Sequence, residues 1–339
     1  CEVSSVMDIW DIEKAKELYG IPTWGQGYFD VNDQGNIIVC PEGREKPHVD
    51  LFELTEDLQE RGIRCPMLIR FPDITKERIK LLNNCFQTAI DAYNYPGHYQ
   101  GVYPIKVNQQ RHLVEEIIEF GNQHNLGLEC GSKPELLVVL AMVNNPSSLI
   151  LCNGFKDEEY VETALLSRKL GRNTLIVVER LEELDLIIKA SKKFNLTPKI
   201  GLRAKLQSRA SGRWVDSGGA RSKFGLTTSQ IFKAFETLKR DNLLDSLDLV
   251  HFHIGSQVPS IKTIKSSLKE GAQVYAELCR LGAKPQFLDV GGGLGVDYDG
   301  SGETHSSVNY TVQEYANDVV SIIQGVCEEK SVQYPTIVT

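Results

Sequence analysis

From residue 102 to the end of the chain, apolar runs of about five residues alternate with amphipathic segments of roughly 12–20 residues. The runs are, in order, VYPIKV, LGLEC, SLILC, TLIVVE, KIGLRAK, DLVHFHIG, PQFLDVG and PTIVT. Near-continuous apolar strands that alternate with helices are typical of a parallel β-sheet covered on both faces. Eight such units predict an α/β protein with a TIM (β/α)8 barrel, and a doubly wound open sheet is the alternative.

The N-terminal quarter of the chain follows a different pattern. Residues 1–20 have helical spacing, and residues 27–41, GYFDVNDQGNIIVCP, predict a β-hairpin. A further short strand is predicted over residues 65–70, between two helical segments. We therefore predict an N-terminal segment over residues 1–75 and the barrel over residues 76–339.

Composition and charge narrow the classes of function. The chain has 339 residues, of which 41% are hydrophobic and 24% are charged, as in an ordinary soluble globular protein. Its net charge of −8 argues against a nucleic-acid partner. No apolar run approaches the roughly 18 residues that span a membrane, and the first residues do not resemble a secretory signal. The cysteines are scattered without a CxxC pair, which disfavours structural zinc and predicts reduced thiols in the cytoplasm.

Polar residues and glycines interrupt the apolar runs where the predicted strands end. They are Lys106, Glu129, Asn153, Arg203, His253 and the three glycines Gly291, Gly292 and Gly293. In a TIM barrel the chemistry takes place at the carboxyl ends of the strands. The pattern therefore predicts one site at that face of the barrel.

Lys106 is the most unusual of these residues, because apolar side chains surround it in the sequence. One interpretation is a lysine at a strand end whose ammonium reaches water. The other is a desolvated amine, since burial lowers the pKa of a lysine and makes it a nucleophile toward carbonyl groups. The sequence leaves both open.

The sixth and seventh predicted strands end in residues suited to an aromatic, phosphorylated ligand. His251 and His253 share a strand face, and His253 could stack on an aromatic ring or, with further ligands, bind a metal. Ser256 is placed to reach a phosphate. The run of Gly291 to Gly293 allows backbone N–H groups to approach an anion closely, although it could also be a tight turn.

Three further features have two interpretations each. Glu135 forms a capping box with Ser132 at a helix start, or it supports the site. The Gly/Ser-rich basic segment 208–226 is a solvated loop or a mobile flap over the site. The segment 295–309 is a second long loop at the same face, with no predicted role.

A lysine amine, a stacking histidine and a glycine turn for phosphate together suggest pyridoxal phosphate. With these features, the sequence resembles the biosynthetic arginine decarboxylases, which belong to the alanine-racemase-like barrel group. The resemblance covers almost the whole chain, including its opening WGQGYFDVN. The motifs that carry it are VYPIKVNQ, GLECGSKPEL, LCNGFKDEEY, SKFGL, HFHIGSQ and DVGGGLGVDYDG.

The resemblance implies a role for each matching residue. Lys106 would hold pyridoxal phosphate as an internal aldimine, and His253 would stack on its ring. The phosphate would lie on Ser256 and on the glycines Gly291, Gly292 and Gly293. Glu129 and Arg203 would lie near the ring and its hydroxyl, with Glu135 in support. The family also implies Mg²⁺, for which the sequence offers no clear ligand set.

The implied reaction is decarboxylation of L-arginine to agmatine and CO2, for polyamine synthesis in the cytoplasm. The resemblance also implies a homo-oligomer that is built from dimers, with active sites shared between the two subunits of a dimer. It further implies a C-terminal β-domain, to which residues 1–75 would contribute. This chain ends at PTIVT, where the family's Glu-x-Gly-Arg motif, whose acidic residue would keep the ring nitrogen protonated, would begin, so we expect a fragment or a processed subunit that is inactive alone. Another barrel decarboxylase or racemase acting on a basic amino acid, a cofactor-binding regulator without activity, and a lysine-dependent aldolase are the alternatives.

Overall fold

The computed structural model describes residues 10–207, 224–298, 300–302 and 307–339. These residues form two compact units. The first takes its residues from Cys1–Arg78 and Val296–Ser307, and the second from Ile79–Gly295 and Val308–Thr339. Within the described residues, no helix is both long enough and apolar enough to cross a membrane.

The first unit is a small three-stranded antiparallel sheet with short helices. Its elements are α1 (Ile12–Leu18), α2 (Ile21–Trp24), β1 (Phe29–Val31), β2 (Ile37–Val39), β3 (Val49–Asp50) and α3 (Leu51–Glu60). The predicted hairpin is confirmed: β1 pairs with β2, and Gly35 in the turn has a φ of +84°. The strand predicted over residues 65–70 is wrong. That stretch is irregular, and Leu68 is 79% exposed, so its apolar residues do not form a buried strand.

The second unit contains nine parallel strand segments and a layer of helices. The segments are β4 (Tyr99–Gln100), β5 (Val102–Pro104), β6 (Gly127–Cys130), β7 (Leu149–Cys152), β8 (Asn173–Val178), β9 (Ile200–Ala204), β10 (Leu247–Phe252), β11 (Phe287–Asp289) and β12 (Thr336–Val338). The helices are α4 (Pro72–Tyr93), α5 (Arg111–Gly121), α6 (Lys133–Met142), α7 (Glu158–Ser167), α8 (Leu181–Phe194), α9 (Thr228–Arg240), α10 (Ile261–Arg280) and α11 (Val312–Lys330).

The sheet closes on itself because the first strand is split in two at Gly101. Its first half, β4, pairs with β12, and its second half, β5, pairs with β6. The backbone N–H of Val102 donates to the carbonyl of Thr339 across the closure, at 2.9 Å. The eight predicted strands therefore form a barrel, so the TIM-barrel prediction is confirmed and the open sheet is wrong.

The strands are buried on both sides, as their apolar sequences predict. All four residues of β7 and all six residues of β10 are buried. Alternate residues form a separate small cluster of Leu149, Leu151, Leu175, Val177, Leu249 and Val338, whereas their neighbours belong to the large core beneath the helices. The side chains of this small cluster fill the barrel interior. Residues of the same parity further along each strand consequently point into the mouth of the barrel.

Candidate active site

The strand register brings several polar residues to one level of the barrel mouth. His251 on β10 pairs with Arg203 on β9 and with Asp289 on β11. Glu129 is the next-to-last residue of β6 and pairs with Pro104 on β5 and with Leu151 on β7. The predicted concentration of polar side chains at the carboxyl ends of the strands is therefore present in the structure.

Lys106 lies just beyond the strand on which it was expected. Strand β5 ends at Pro104, and residues Ile105–Val107 form a single turn of 3-10 helix. The Lys106 side chain is 64% exposed, so the desolvated amine that its apolar neighbours suggested is wrong. Its Nζ donates to Oε1 of Glu129 at 3.2 Å, and Glu129 itself is 17% exposed. The amine is thus accessible at the barrel mouth and has one carboxylate partner.

His253 follows the end of β10 and lies against the glycine turn that follows β11. Burial, followed by the positive charges of neighbouring groups, among them Arg203 and Lys106, lowers its pKa to about 3. The imidazole is therefore neutral over the physiological range. A neutral ring can pack on an aromatic ligand without opposing a positive charge on that ligand.

The glycines of the seventh strand end form a tight backbone turn. Gly291 has a φ of +69°, and a Cβ there would lie 2.6 Å from the carbonyl oxygen of Phe252. Gly293 has a φ of +116°, and its Cβ would lie 2.9 Å from the carbonyl oxygen of Gly255. Only glycine fits both positions, because the turn packs directly on the loop after β10.

Gly292, between them, is exposed, and its added Cβ would have one neighbour, Cε1 of His253, at 3.8 Å. Ser256 is also exposed, on the adjacent loop. The backbone N–H of Gly291 donates to Oδ1 of Asp289 at 2.8 Å, which fixes the start of the turn. Together these residues form an open, backbone-lined cradle that suits an anion.

Arg203 is held by a carboxylate that the sequence analysis did not identify. One of its guanidinium nitrogens donates to Oε1 of Glu179 at 2.6 Å. Glu179 immediately follows β8, at the end of the apolar run TLIVVE. The rule that identified polar residues at the other strand ends also applies to this one. Glu179 was therefore detectable from the sequence.

Two other predicted residues have structural partners. The Glu135 carboxylate accepts the backbone N–H of Gly131 at 2.6 Å and the side-chain amide of Gln109 at 2.7 Å. Its backbone N–H donates to Oγ of Ser132, which is the N-cap of α6. Asn153 is buried after β7, and its carbonyl oxygen accepts the hydroxyl of Tyr160 at 3.1 Å. Both residues brace the loops around the site, and neither has a described contact with Lys106.

The described residues contain no group of three or more His, Cys, Asp and Glu side chains that could hold a metal ion. His251 is buried, and its Nδ1 lies 2.8 Å from Oδ2 of Asp289. The metal-binding interpretation of His251 and His253 thus has no third ligand in the part of the chain that is described. Most of the predicted flap, residues 208–223, and part of the loop 295–309 lie outside the described residues.

The residues present fit pyridoxal phosphate by their chemistry. Lys106 offers an accessible primary amine, His253 offers a neutral ring face, and the Gly291–Gly293 turn with Ser256 offers an anion cradle. The tight turn at Gly291 is the specific observation, since any side chain there would meet the backbone of Phe252. Glu129 and Arg203 supply opposite charges at the same mouth.

Comparisons with known proteins agree with this chemistry. The family profile described as "Pyridoxal-dependent decarboxylase, pyridoxal binding domain" matches residues 80–339. A biosynthetic arginine decarboxylase from Gloeobacter violaceus is 53% identical over 98% of this chain and 52% of its own length. One from Nostoc sp. is 50% identical over 98% of this chain and 49% of its own length. The chain thus spans about half the length of the curated relatives that it matches.

Solved structures show the same fold. The biosynthetic arginine decarboxylase of Campylobacter jejuni has a TM-score of 0.85 and 36% identity, over 94% of this chain and 52% of that chain. A diaminopimelate decarboxylase from M. jannaschi has a TM-score of 0.67 at 21% identity, over 93% of this chain and 66% of that chain, and shows the fold alone. Because the profile match covers the whole barrel and its motifs form the site described above, this chain belongs to the family of pyridoxal-dependent decarboxylases and comprises their pyridoxal-binding domain.

Proposed function

We propose that this chain is the cofactor-binding half of an enzyme that decarboxylates L-arginine to agmatine and CO2. The relatives from Gloeobacter violaceus and Nostoc sp., which are 53% and 50% identical to this chain, are both named biosynthetic arginine decarboxylases. The observation on which the proposal depends is that an accessible lysine, a neutral histidine and a glycine-lined cradle meet at one barrel mouth. Pyridoxal phosphate needs these three groups.

Bound pyridoxal phosphate would supply an electron sink for the pair released when CO2 leaves the substrate's α-carbon. Lys106 would hold the cofactor covalently and would later return a proton to the α-carbon from which CO2 has left. Its exposure suits both tasks, because the amine must exchange its partner with the substrate amine in each turnover. The carboxylate of Glu129, 3.2 Å away, would orient the amine and accept its proton.

The opposite side of the mouth would fix the cofactor. His253, with its low pKa, would cover one ring face as a neutral group. The backbone N–H groups of the Gly291–Gly293 turn and the hydroxyl of Ser256 would bind the phosphate. Arg203 would lie beside the ring hydroxyl, where its fixed positive charge stabilises negative charge on that oxygen.

The remaining elements of the proposal come from the family resemblance. Recognition of the arginine side chain would depend on the C-terminal β-domain, and protonation of the ring nitrogen on an acidic residue in a Glu-x-Gly-Arg motif just past the eighth strand. We also propose a homo-oligomer of dimers with shared sites, a cytoplasmic location and a requirement for Mg²⁺. No group among the described residues identifies the Mg²⁺ ligands.

The test is product analysis with the full-length protein that contains this chain, loaded with pyridoxal phosphate. We expect equimolar agmatine and CO2 from L-arginine, and much slower reaction with ornithine, lysine or diaminopimelate. D-Arginine as the product would indicate a racemase instead. Bound cofactor without turnover of any of these substrates would indicate a regulator, and a failure to bind the cofactor would contradict the proposal.

A further inference from the structure

Four charged side chains form a buried cluster beneath the barrel mouth, and the proposed mechanism uses only one of them. The buried charge cluster consists of Lys156, Glu179, Glu183 and Arg203. The side chains of Lys156 and Glu179 are 0% exposed, that of Glu183 is 2% exposed and that of Arg203 is 14% exposed. Two positive and two negative charges therefore balance in a region that excludes water.

Among the three cluster members that the proposed mechanism does not use, Glu179 is the one with a described contact to Arg203. Its Oε1 accepts a hydrogen bond from the Arg203 guanidinium at 2.6 Å and another from the backbone N–H of Gly154 at 3.1 Å. Its Oε2 has no hydrogen-bond partner among the described residues. The guanidinium carbon also lies 5.3 Å from the centre of the Phe224 ring. The Arg203 side chain thus has two described contacts, and Glu179 provides the charged one.

Lys156 and Glu183 hold the backbone around Glu179. Glu183, in the first turn of α8, accepts the backbone N–H of Glu179 at 2.9 Å and that of Lys156 at 3.3 Å. The Lys156 ammonium donates to the carbonyls of Gly154 at 2.6 Å and Val177 at 2.5 Å, and lies 3.4 Å from Oε2 of Glu183. Neither Lys156 nor Glu183 has a described contact with Arg203.

The charges explain why Glu179 remains ionised in this environment. Burial alone raises the pKa of Glu179, but the positive charges of Arg203 and Lys156 and the bonds from Arg203 and Gly154 outweigh it and lower the pKa below the ordinary value. Arg203 in turn contributes to the low pKa of His253. The Arg203 guanidinium therefore links Glu179 to the groups at the mouth.

We propose that Glu179 is a positioning residue that fixes the Arg203 guanidinium in one orientation at the barrel mouth and partly compensates its charge there. This rests on the proposed function, in which the cofactor binds at the same mouth. Without Glu179 the guanidinium would be free to swing, and its uncompensated positive charge would oppose a protonated group on Lys106. Lys156 and Glu183 support the backbone of Glu179 and have no direct effect on the cofactor.

The test compares Glu179→Gln with Glu183→Gln, which also removes a buried carboxylate of the cluster but does not contact Arg203. Both variants and the parent protein are titrated with pyridoxal phosphate, and the absorption band of the Lys106-bound cofactor is followed from pH 5 to pH 10. We expect Glu179→Gln to weaken cofactor binding about tenfold and to lower the midpoint of the absorption change by about one pH unit. Glu183→Gln should lower thermal stability but leave both cofactor readouts within about twofold of the parent.

A second pair of variants isolates the path through Arg203. In an Arg203→Gln background, adding Glu179→Gln should change neither the binding constant nor the midpoint, because the group that Glu179 positions is gone. The proposal is overturned if the two carboxylate variants behave alike, if Glu179→Gln changes nothing, or if its effect persists without Arg203.

The cofactor-free protein separates this proposal from the proposed function. If the parent protein does not bind pyridoxal phosphate at Lys106, the proposed function fails. The positioning role is then judged from a crystal structure of cofactor-free Glu179→Gln. Displacement of the Arg203 guanidinium from its place beside residue 179 would support the role, and an unmoved guanidinium would overturn it.

Discussion

Two ion pairs at the same barrel mouth differ in almost every physical respect. Lys106 and Glu129 are 3.2 Å apart, and the lysine is largely exposed. Arg203 and Glu179 are 2.6 Å apart, and the carboxylate is fully buried. An exposed pair contributes little to stability because water and salt screen it, whereas a broken buried pair leaves a charge without compensation.

The difference matches the two tasks that the proposed function assigns to the site. A lysine that must release one partner and take another in each turnover requires a pair that opens at little cost. A guanidinium that faces a fixed ring oxygen requires a pair that does not open. We therefore describe the mouth as having an open side, Lys106 and Glu129, and a fixed side, Arg203, Glu179, His253 and the turn Gly291–Gly293.

The largest predicted effect is on the fixed ion pair. Glu179→Ala should lower the free energy of unfolding by about 3–5 kcal/mol, because it leaves the Arg203 charge buried without a partner. Glu129→Ala, the matched change on the open side, should lower it by less than about 1 kcal/mol. Urea unfolding of the cofactor-free protein measures both. If the two variants lose equal free energy of unfolding, the distinction between the open side and the fixed side of the mouth is wrong.

The next effect concerns the backbone of the fixed side. Gly291→Ala should lower the free energy of unfolding by about 2–3 kcal/mol, because a left-handed backbone and a Cβ 2.6 Å from the carbonyl oxygen of Phe252 cannot both be relieved. Gly292→Ala has space for its methyl group and should lower it by less than about 1 kcal/mol. The same urea series measures both variants, and a tolerated Gly291→Ala would show that the turn is not rigid.

For each pH unit, a smaller effect is the pH dependence of stability that His253 adds. Its pKa falls from the ordinary 6.5 to about 3 in the folded protein, so the unfolded chain binds one more proton between those pH values. Stability from this group is therefore complete above pH 6.5 and is lost as the pH falls, by up to about 1.4 kcal/mol per pH unit. The difference in unfolding free energy between the parent and His253→Gln, measured from pH 7 to pH 4, should show this slope. A difference that does not vary with pH would mean that His253 is not held neutral.

The smallest expected effect is at Lys106, the residue to which the proposed function gives the largest role. Lys106→Gln should change the free energy of unfolding of the cofactor-free protein by less than about 0.5 kcal/mol, because the side chain is mostly exposed. The same variant should bind no cofactor covalently. A loss of several kcal/mol would mean that Lys106 belongs to the fixed structure of the mouth.

The barrel was predictable because every strand is buried on both sides and so has a continuous apolar run. The sequence analysis also predicted that Lys106, Glu129, Arg203 and His253 meet at one face, since parallel strands end on the same side. The split of the first strand at Gly101 was not predictable, because the run VYPIKV does not indicate where the strand stops pairing with the last strand and begins to pair with the second. Pro104 ends the strand instead of interrupting it.

The environment of Lys106 was mispredicted for a related reason. Apolar neighbours in the sequence suggest burial, but the chain turns into a 3-10 helix after Pro104 and directs the lysine outward. The buried charge cluster was missed because Lys156 and Glu183 lie on a loop and a helix, where charged residues are ordinarily exposed. Only their pairing in the fold makes their burial possible.

The central claim is the identity of the lysine that binds the cofactor. It is tested by borohydride reduction of the full-length protein loaded with pyridoxal phosphate, followed by mass mapping of its peptides. We expect one phosphopyridoxyl group per chain, on Lys106. A label on any other lysine, or no label at all, would contradict it.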